Sequence, residues 1–353
     1  MSDIIAADIE ALLDRTAPLW LELRDARLFI TGGTGFFGTW LLEAIVAADR
    51  RFGLGCRAAV LSRDPARFAA RAPHLATASA VTLLAGDVRD FPFPDGPVTH
   101  VIHAATEASA ALNESAPRTM FDVCVEGTRR VLALAAEKRA ARFLFTSSGA
   151  VYGRQPPDLT HVAEEFAGGP DPLDPRNAYA EGKRAAEMLC RLAVDDGLAA
   201  TVARCFAFVG PRLPLDAHFA VGNFLRDALS GGPIRIGGDG TPLRSYLYAA
   251  DLVEWLVTIL VRGRPARAYN VGSEEAVSIR DLAGRVASVA ATVWPDRADP
   301  AILVAREPHP GSPAERYVPD CARARVELGL VPSTSLAEAL RRTLVAAVEE
   351  SRP

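Results

Sequence analysis

The chain has 353 residues, of which 49% are hydrophobic and 23% charged, and its formal net charge is −4. This composition is typical of a globular protein with a large core and excludes an intrinsically disordered chain. No basic block marks a nucleic-acid surface, so we expect no nucleic-acid partner and only a local positive site for any anionic ligand. The length suits one large domain or two intimately joined ones.

The five cysteines are scattered along the chain and form no CxxC pair. An odd number of cysteines without a secretion signal predicts reduced thiols in a cytoplasmic protein, and we predict no metal site. The first residues include Asp3, Asp8 and Glu10, whereas a signal peptide begins with basic residues. No apolar run approaches the roughly 20 residues that span a bilayer, so we expect no membrane partner.

Residues 1–26 have the pattern of an added amphipathic helix. Ile5, Ile9, Leu12 and Leu13 recur at helical spacing, with acidic residues between them. The pattern predicts a helix that packs on the surface of the following domain. A contact between subunits is the alternative.

From Arg27 onward, short apolar runs alternate with stretches of helical periodicity. These runs are rich in Val, Ile, Leu and Phe without polar alternation, as in strands buried on both faces. The order predicts an α/β fold, a doubly wound parallel sheet with right-handed crossovers. The predicted strands span residues 27–31, 57–61, 81–85, 98–103 and 142–146, and the predicted helices span 37–49 and about 113–138.

Beyond about residue 210 the chain becomes richer in glycine and proline. Helical periodicity returns over residues 252–261, 279–290 and 336–349. We therefore predict three regions, which are a helical extension over 1–26, a first domain over 27–210 and a smaller lobe over 211–353 that is interleaved with the first.

A glycine-rich loop follows the first predicted strand and opens the first predicted helix. Gly32, Gly35 and Gly38 have the spacing GxxGxxG. Glycine allows a tight turn and close approach of a pyrophosphate to the backbone, and the helix start supplies free N–H groups. The flanking strand and helix predict a dinucleotide site in a Rossmann domain. The residues that we expect to contact the dinucleotide are Gly32, Thr34, Gly35, Phe36, Phe37 and Gly38.

The tip of the second predicted strand indicates which dinucleotide is bound. An acidic residue at this place would bind the adenosine ribose hydroxyls of NAD, but Ser62 and Arg63 stand there. A hydroxyl and a guanidinium suit a 2′-phosphate, so NADP is favoured over NAD. NAD remains possible if Arg63 is a solvated loop residue and Asp64 reaches the ribose. After the third strand, Asp87 is a candidate contact for the adenine, or a loop cap.

A tyrosine and a lysine four residues apart open a later helical stretch. Tyr179 and Lys183 lie on one helix face, where the ammonium is expected to favour the phenolate. A phenolate can take the proton of a hydroxyl while hydride leaves the same carbon. Ser148 follows the fifth strand, at the sheet edge where parallel sheets place ligands, and can hold the reacting oxygen.

Together these motifs resemble the extended short-chain dehydrogenase/reductase family, the NAD-dependent epimerase/dehydratase group. The resemblance runs from about residue 27 to 330 and includes the glycine loop, Gly86-Asp87-Val88, His103-Ala104-Ala105, the Ser148 segment and the Tyr179/Lys183 pair. It implies hydride transfer at C4 of a nucleotide-activated sugar and a homodimer. It also implies catalytic roles and cofactor contacts for particular residues. The resemblance makes Ser148, Tyr179 and Lys183 catalytic and places Lys183 at the nicotinamide ribose as well. With the contacts already argued from the strand ends, the further predicted cofactor contacts are Ser62, Arg63, Asp87, Val88, Ala104 and Ala105.

Three positions depart from the family pattern. Cys124 stands where the family often has Asn, and Ala207 stands where it usually has a further Asn near the substrate. Gly149 and Ala150 follow the catalytic serine, where members that dehydrate the sugar typically carry acidic residues. Neither glycine nor alanine can act as the general acid that expels water.

The resemblance also implies a substrate site in the second lobe. Arg244 and Arg306 are similar to arginines that bind the phosphates of the nucleotide, and Asn223 is similar to a residue that contacts the phosphate or base. His218 and Asp216 could reach the sugar or serve as loop residues.

The sequence leaves several reactions open. The favoured ones are epimerisation at C4 and NADPH-dependent reduction of a 4-keto sugar, with the Ser62-Arg63 tip favouring the reductase. A 4,6-dehydratase is third, since it needs an acid from elsewhere, such as Glu107 or Glu164. A binding protein that senses NAD(P) without turnover is the non-enzymatic alternative, but such a protein does not need Ser148, Tyr179 and Lys183 together.

Overall fold

The computed structural model describes residues 2–106, 110–217, 219–309 and 311–350. The strands of this part of the chain are β1 (Arg27–Thr31), β2 (Arg57–Ser62), β3 (Val81–Ala85), β4 (His100–His103), β5 (Arg142–Ser148), β6 (Ala200–Cys205), β7 (Phe208–Val209), β8 (Ile234–Ile236), β9 (Leu243–Arg244), β10 (Leu247–Tyr248), β11 (Ala268–Val271), β12 (Val277–Ser278), β13 (Ile302–Val304) and β14 (Arg316–Tyr317).

The helices of the described residues connect these strands. They are α1 (Asp3–Leu21), α2 (Phe36–Phe52), α3 (Pro65–Arg71), α4 (Pro73–Ala76), α5 (Ala110–Ser115), α6 (Pro117–Glu137), α7 (Ala178–Asp195), α8 (Ala220–Leu229), α9 (Ala249–Arg262), α10 (Ile279–Val293), α11 (Ala322–Leu328) and α12 (Leu336–Glu350). None of the helices described is long and apolar enough to cross a bilayer.

The largest sheet confirms the predicted doubly wound α/β fold. Its seven strands have the order β11-β6-β5-β4-β1-β2-β3, and every neighbouring pair is parallel. Phe29, Ile30 and Leu144 are fully buried within it, as expected for strands covered by helices on both faces. The carboxyl ends of β1, β4 and β5 therefore lie together at one edge, where a ligand crevice forms.

Two helical layers cover this sheet. On one face, α2 and α9 pack together, and α1 packs against both of them and against α12. On the other face, α6 and α7 lie side by side. The predicted N-terminal helix is present, and its residues Ile5, Leu12 and Trp20 are fully buried within this chain.

One predicted helix is divided in two. The sequence pattern predicted a single helix over about 113–138, but the chain forms α5 and then α6, which begins at Pro117. Proline has no N–H and forces the preceding residue out of the helical region, and Ala116 has φ −145° and ψ 62°. The break therefore follows from Pro117, and the short helices α3 and α4 were not predicted.

Short strands and the helices α8, α10 and α12 form the part of the second lobe that lies away from the large sheet. Its small sheets are β7–β10, β8–β13 and β12–β9–β14, and α8, α10 and α12 pack beside them. Between these pieces the chain returns to the large sheet, since β11 pairs with β6. The second lobe thereby stands beside the carboxyl edge of β5 and β6.

Candidate active site

The glycine loop lies between β1 and α2 and packs tightly on its surroundings. Gly32 has φ +71°, and a Cβ atom there would lie 2.3 Å from the carbonyl oxygen of Ala104. A Cβ atom on Gly38 would lie 2.2 Å from the Cα atom of Gly33. Gly35, which precedes α2, has no side chain to cap the helix, so the first N–H groups remain available to an anion. The loop fits a dinucleotide, because it packs closely without side chains and leaves the uncapped N–H groups at the start of α2 available to a pyrophosphate.

A buried hydrogen-bonded chain supports this loop from below. The Thr31 hydroxyl accepts the N–H groups of Ala104 and Ala105, each at 3.1 Å, and lies 2.7 Å from His103 Nδ1. Its single proton therefore points to His103, whose Nε2 proton points to Thr128 Oγ1 at 2.9 Å. Burial, and secondarily Lys183, lowers the pKa of His103 to about 3, so the imidazole is neutral.

The tip of β2 presents cationic groups beside the loop. Ser62 is buried, and the Asp64 carboxylate caps α3 by accepting the N–H of Arg67 at 2.9 Å. Asp64 is therefore already engaged in the protein. Arg71 donates to the carbonyl oxygen of Thr34, and its pKa is lowered by burial and then by its positive neighbours Arg212 and Arg67.

The third strand is followed by Asp87 and Val88. Asp87 accepts both the side chain of Arg89, at 2.8 and 2.9 Å, and its backbone N–H at 3.0 Å. The hydrogen bond from Arg89 lowers the pKa of the Asp87 carboxyl. Val88 packs against Gly127 of α6. Asp87 thus caps its own loop at the rim of the crevice.

Ser148, Tyr179 and Lys183 come together beyond the end of β5. Tyr179 and Lys183 occupy successive turns of α7, and Ser148 is the last residue of β5. Lys183 is 3% exposed, and its Nζ donates to the carbonyl oxygen of Thr146 at 2.7 Å. The ammonium lies 4.7 Å from the centroid of the Phe145 ring and 5.9 Å from that of Tyr179.

The electrostatics of Tyr179 differ from the expectation. We expected the ammonium to lower the phenol pKa, but burial raises the pKa of Tyr179, and a hydrogen bond with Ser148 only partly offsets this. Burial also lowers the pKa of Lys183. At this site the cost of burying a charged phenolate exceeds its attraction to the Lys183 ammonium. Ionisation of Tyr179 therefore needs further positive charge from a ligand.

A largely buried ion pair joins α7 to β6. Glu187 of α7 and Arg204 of β6 pair at 2.7 Å, and the Ser147 hydroxyl donates to Glu187 at 2.6 Å. Arg204 also donates to the Tyr152 hydroxyl at 3.0 Å, which donates to Asn270 at 2.7 Å. Sequence reasoning did not single out Glu187, although it lies one turn beyond Lys183 and the spacing could have indicated it.

A second tyrosine reaches Ser148 from the other lobe. The Tyr317 hydroxyl of β14 lies 3.4 Å from Ser148 Oγ, and its ring packs on Phe206 with centroids 4.7 Å apart. Burial raises the pKa of Tyr317 to about 12. This residue was not predicted, because only the tertiary fold brings β14 beside β5.

The departures from the family pattern lie close to these groups. A Cβ atom on Gly149 would lie 2.8 Å from both Phe206 and the Tyr317 hydroxyl. Cys124 packs under Gly182 of α7. Of the two acids considered for dehydration, Glu164 is engaged with the N–H of Asn270 at 2.8 Å, whereas Glu107 lies outside the described residues.

The second-lobe residues form two groups. Arg244 of β9 is adjacent to Tyr317, with its guanidinium 6.0 Å from the ring centroid, and it pairs with Glu315 at 3.3 Å. Asn223 of α8 lines a cavity of about 240 Å³ together with Gly238, whose carbonyl accepts the N–H of Arg306 at 3.3 Å.

The side chain of Arg306 is exposed, and so is Asp216. His218 lies outside the described residues. Arg244 is therefore connected to Ser148 through its contact with Tyr317, whereas Asn223 lines the cavity and Arg306 reaches only the backbone of Gly238 in its lining.

Comparison with known proteins supports the same family. The model of the NAD dependent epimerase/dehydratase family matches residues 28–272. The chain is 30% identical over 330 residues to UDP-glucuronic acid decarboxylase 1 of Arabidopsis thaliana, covering 92% of this chain and 70% of that protein.

Two solved structures show the same fold. DesIV, a dTDP-glucose 4,6-dehydratase from Streptomyces venezuelae with NAD and TYD bound, has a TM-score of 0.75 at 24% identity and covers 92% of this chain and 97% of its own. RMD from Pseudomonas aeruginosa, complexed with NADPH, has a TM-score of 0.67 at 24% identity and covers 93% of this chain and 100% of its own.

These matches confirm the resemblance inferred from the motifs, and with it the expectation of an enzyme of the short-chain dehydrogenase type. The family model covers more than half of the chain, from the first strand of the large sheet to just beyond its last. The chain belongs to the NAD-dependent epimerase/dehydratase family.

Proposed function

We propose that this protein moves hydride to or from C4 of a nucleotide-activated sugar, by epimerisation at that carbon. The observation that carries the proposal is the meeting of Ser148, Tyr179 and Lys183 at the carboxyl edge of β5, beside the glycine loop. A bound nicotinamide cofactor supplies the hydride acceptor and donor.

The side chains divide the proton chemistry among them. Tyr179 takes the proton of the sugar hydroxyl at its phenolic oxygen, and Ser148 donates a hydrogen bond to the same sugar oxygen. Lys183 supplies buried positive charge one turn below Tyr179. Because burial raises the pKa of Tyr179 in the protein alone, the positive charge of an oxidised cofactor is needed to favour the phenolate.

The residues after Ser148 favour reactions that change only C4 of the sugar. Gly149 and Ala150 carry no acid, and the space beside Gly149 is filled by Phe206 and Tyr317. Expelling water would require an acid and a base near C5 and C6. This argues against dehydration, although one of the solved structures named above is a dehydratase.

Reduction of a 4-keto nucleotide sugar by NADPH is the second candidate. It is favoured by the cationic surroundings of the β2 tip, where Ser62 and Arg63 stand and Arg71 reaches the loop residue Thr34. Asp64 uses Oδ1 to cap α3, and Ser62 and Arg63, rather than an acidic residue, occupy the tip of β2 where an unphosphorylated ribose would bind. NADP is therefore the favoured cofactor.

The nucleotide portion of the substrate would bind in the second lobe, residues 211–353. The cavity beside Asn223 is large enough for part of a nucleotide, and the backbone N–H of Arg306 bonds to Gly238 in its lining. Arg244, on β9 of the same lobe, contacts Tyr317 beside Ser148 and suits a diphosphate. The sugar would then extend toward Tyr179.

We further propose a homodimer formed through α6 and α7. These helices lie side by side and expose apolar side chains, namely Phe121 at 37%, Met188 at 60% and Leu192 at 53%. A self-complementary helix pair of this kind suits a twofold interface. Sedimentation of the purified protein tests this.

The function is tested by incubating the protein with NADPH or NADH and a 4-keto nucleotide sugar while following cofactor absorbance. Saturated UDP-, dTDP-, CDP- and GDP-sugars are assayed in parallel for inversion at C4. Tyr179→Phe should lower turnover by about 10² to 10⁴ and leave cofactor affinity unchanged, since it removes only the proton acceptor. Tyr269→Phe, which removes a hydroxyl bonded to Glu327 away from the site, is the matched control.

Each outcome discriminates between the candidates. Inversion without net reduction selects the epimerase, and stoichiometric oxidation of NADPH selects the reductase. Cofactor binding without turnover of any sugar would identify a sensor and refute the proposal.

A further inference from the structure

The Tyr317 hydroxyl is a third hydroxyl group at the catalytic centre, beside those of Ser148 and Tyr179. We propose that Tyr317 is a positioning residue that fixes the direction of the Ser148 hydroxyl. The proposal rests on the function proposed above and concerns how the second lobe takes part in it.

The hydrogen bonds available to Ser148 carry the argument. Its oxygen already accepts the N–H of Ala150 at 3.2 Å, and the Tyr317 hydroxyl lies 3.4 Å away. A serine oxygen has two acceptor sites and one proton. When Tyr317 donates to the second acceptor site, the proton of Ser148 is left to point toward Tyr179 and the reacting sugar oxygen. Ser148 is then a donor, which is the role the reaction requires.

The backbone at Gly149 makes room for this contact. A Cβ atom there would lie 2.8 Å from the Tyr317 hydroxyl and 2.8 Å from two ring atoms of Phe206. The Phe206 ring packs against Tyr317 with centroids 4.7 Å apart and holds it from the other side. Gly149, which removes the acid found in dehydrating members of the family, thus also admits Tyr317.

Tyr317 reaches Ser148 on a strand that belongs to the substrate lobe. In the pairing of β14 with β9, Tyr317 is the partner of Arg244, and the guanidinium lies 6.0 Å from its ring centroid. A diphosphate bound at Arg244 would therefore sit beside the residue that orients Ser148. The second lobe contributes to the geometry of the reaction as well as to substrate binding.

Tyr317→Phe tests the proposal, because it keeps the ring packed on Phe206 and removes only the hydroxyl. We expect kcat to fall by about tenfold, the value of one hydrogen bond, with KM changed by less than about twofold. The matched control, Tyr269→Phe, also deletes a buried phenolic hydroxyl and should change neither constant.

A second readout does not depend on turnover. In the complex with oxidised cofactor, the ultraviolet absorbance of phenolate is followed against pH, and the step that disappears in Tyr179→Phe identifies Tyr179. We expect Tyr317→Phe to move this step to higher pH, because a Ser148 proton that is no longer aimed at Tyr179 stabilises its phenolate less. If Tyr317 only filled space, losing its hydroxyl would leave the Tyr179 titration step at the same pH.

The outcomes separate this proposal from the proposed function. An unchanged kcat together with an unchanged Tyr179 titration would overturn the role of Tyr317. If the wild-type protein turns over no nucleotide sugar, the proposed function fails, while the titration still decides whether Tyr317 orients Ser148.

Discussion

At the scale of single residues, the crevice is shaped by small side chains and by one neutral histidine. Gly32 and Gly38 are required because a Cβ atom on either would overlap backbone atoms. His103 bridges Thr31 under the loop and Thr128 of α6. The glycines could be predicted from their spacing after a strand. The role of His103 could not, because its partners lie 72 and 25 positions away.

We predict that His103 makes the protein sensitive to acid. Its pKa is about 3 in the folded protein and about 6.5 in an unfolded chain, so only the unfolded chain takes up the proton between these values. The free energy of unfolding should therefore fall as pH decreases from 6.5 toward 3. Urea unfolding at a series of pH values measures this, and His103→Asn should flatten the slope. An equal slope in this variant and the wild type would contradict the assignment.

At the scale of elements, the site depends on how α7 is attached to the large sheet. Tyr179 and Lys183 lie on α7, Ser148 ends β5, and the Glu187–Arg204 pair joins α7 to β6. Their side chains are only 14% and 17% exposed, so the pair is largely withdrawn from water. Helical spacing predicted that Tyr179 and Lys183 share a face. The pairing of Glu187 with Arg204 could not be predicted in this way, because it depends on which strand lies beside α7 in the sheet.

Breaking this pair should lower the stability of the protein. Glu187→Gln leaves Arg204 without its counter-charge, and we expect a loss of about 3 kcal/mol in the free energy of unfolding. The double variant Glu187→Gln/Arg204→Met should lose less than the sum of the single changes. Asp195→Asn, in the exposed pair with Arg191 on the same helix, is the control and should cost less than about 0.5 kcal/mol. Denaturant unfolding measures each value. Equal losses for Glu187→Gln and the control would show that the Glu187–Arg204 pair does not stabilise the protein.

At the scale of the whole molecule, α1 joins parts of both regions of the chain. Asp8 bonds to Tyr248 and to Arg342 of α12, and Arg15 pairs with Asp251 of α9 at 3.2 Å. The apolar pattern at the start of the chain predicted a packed helix but left open whether it would contact its own chain or another subunit. In the structure its apolar side chains are covered by α2, α9 and α12 of the same chain.

Truncating this helix face should destabilise the whole protein. Leu12 is fully buried, and Leu12→Ala should cost about 2–5 kcal/mol in the free energy of unfolding. Leu21→Ala, at a position that is 47% exposed on the same helix, should cost less than about 1 kcal/mol. Thermal and urea unfolding of the two variants compares them, and a loss below about 1 kcal/mol for Leu12→Ala would mean that α1 contributes little to the core.

The sequence by itself determined the strands of the large sheet that were predicted, the glycine loop between β1 and α2, and the shared helix face of Tyr179 and Lys183. These features depend on the spacing of nearby residues, which is a local property. Only the tertiary structure decided which residues surround Ser148. Ser148 and Tyr317 are 169 positions apart and meet because β14 pairs with β9 beside the end of β5. Such contacts depend on the packing of one lobe against the other, which the spacing of residues along the chain does not encode.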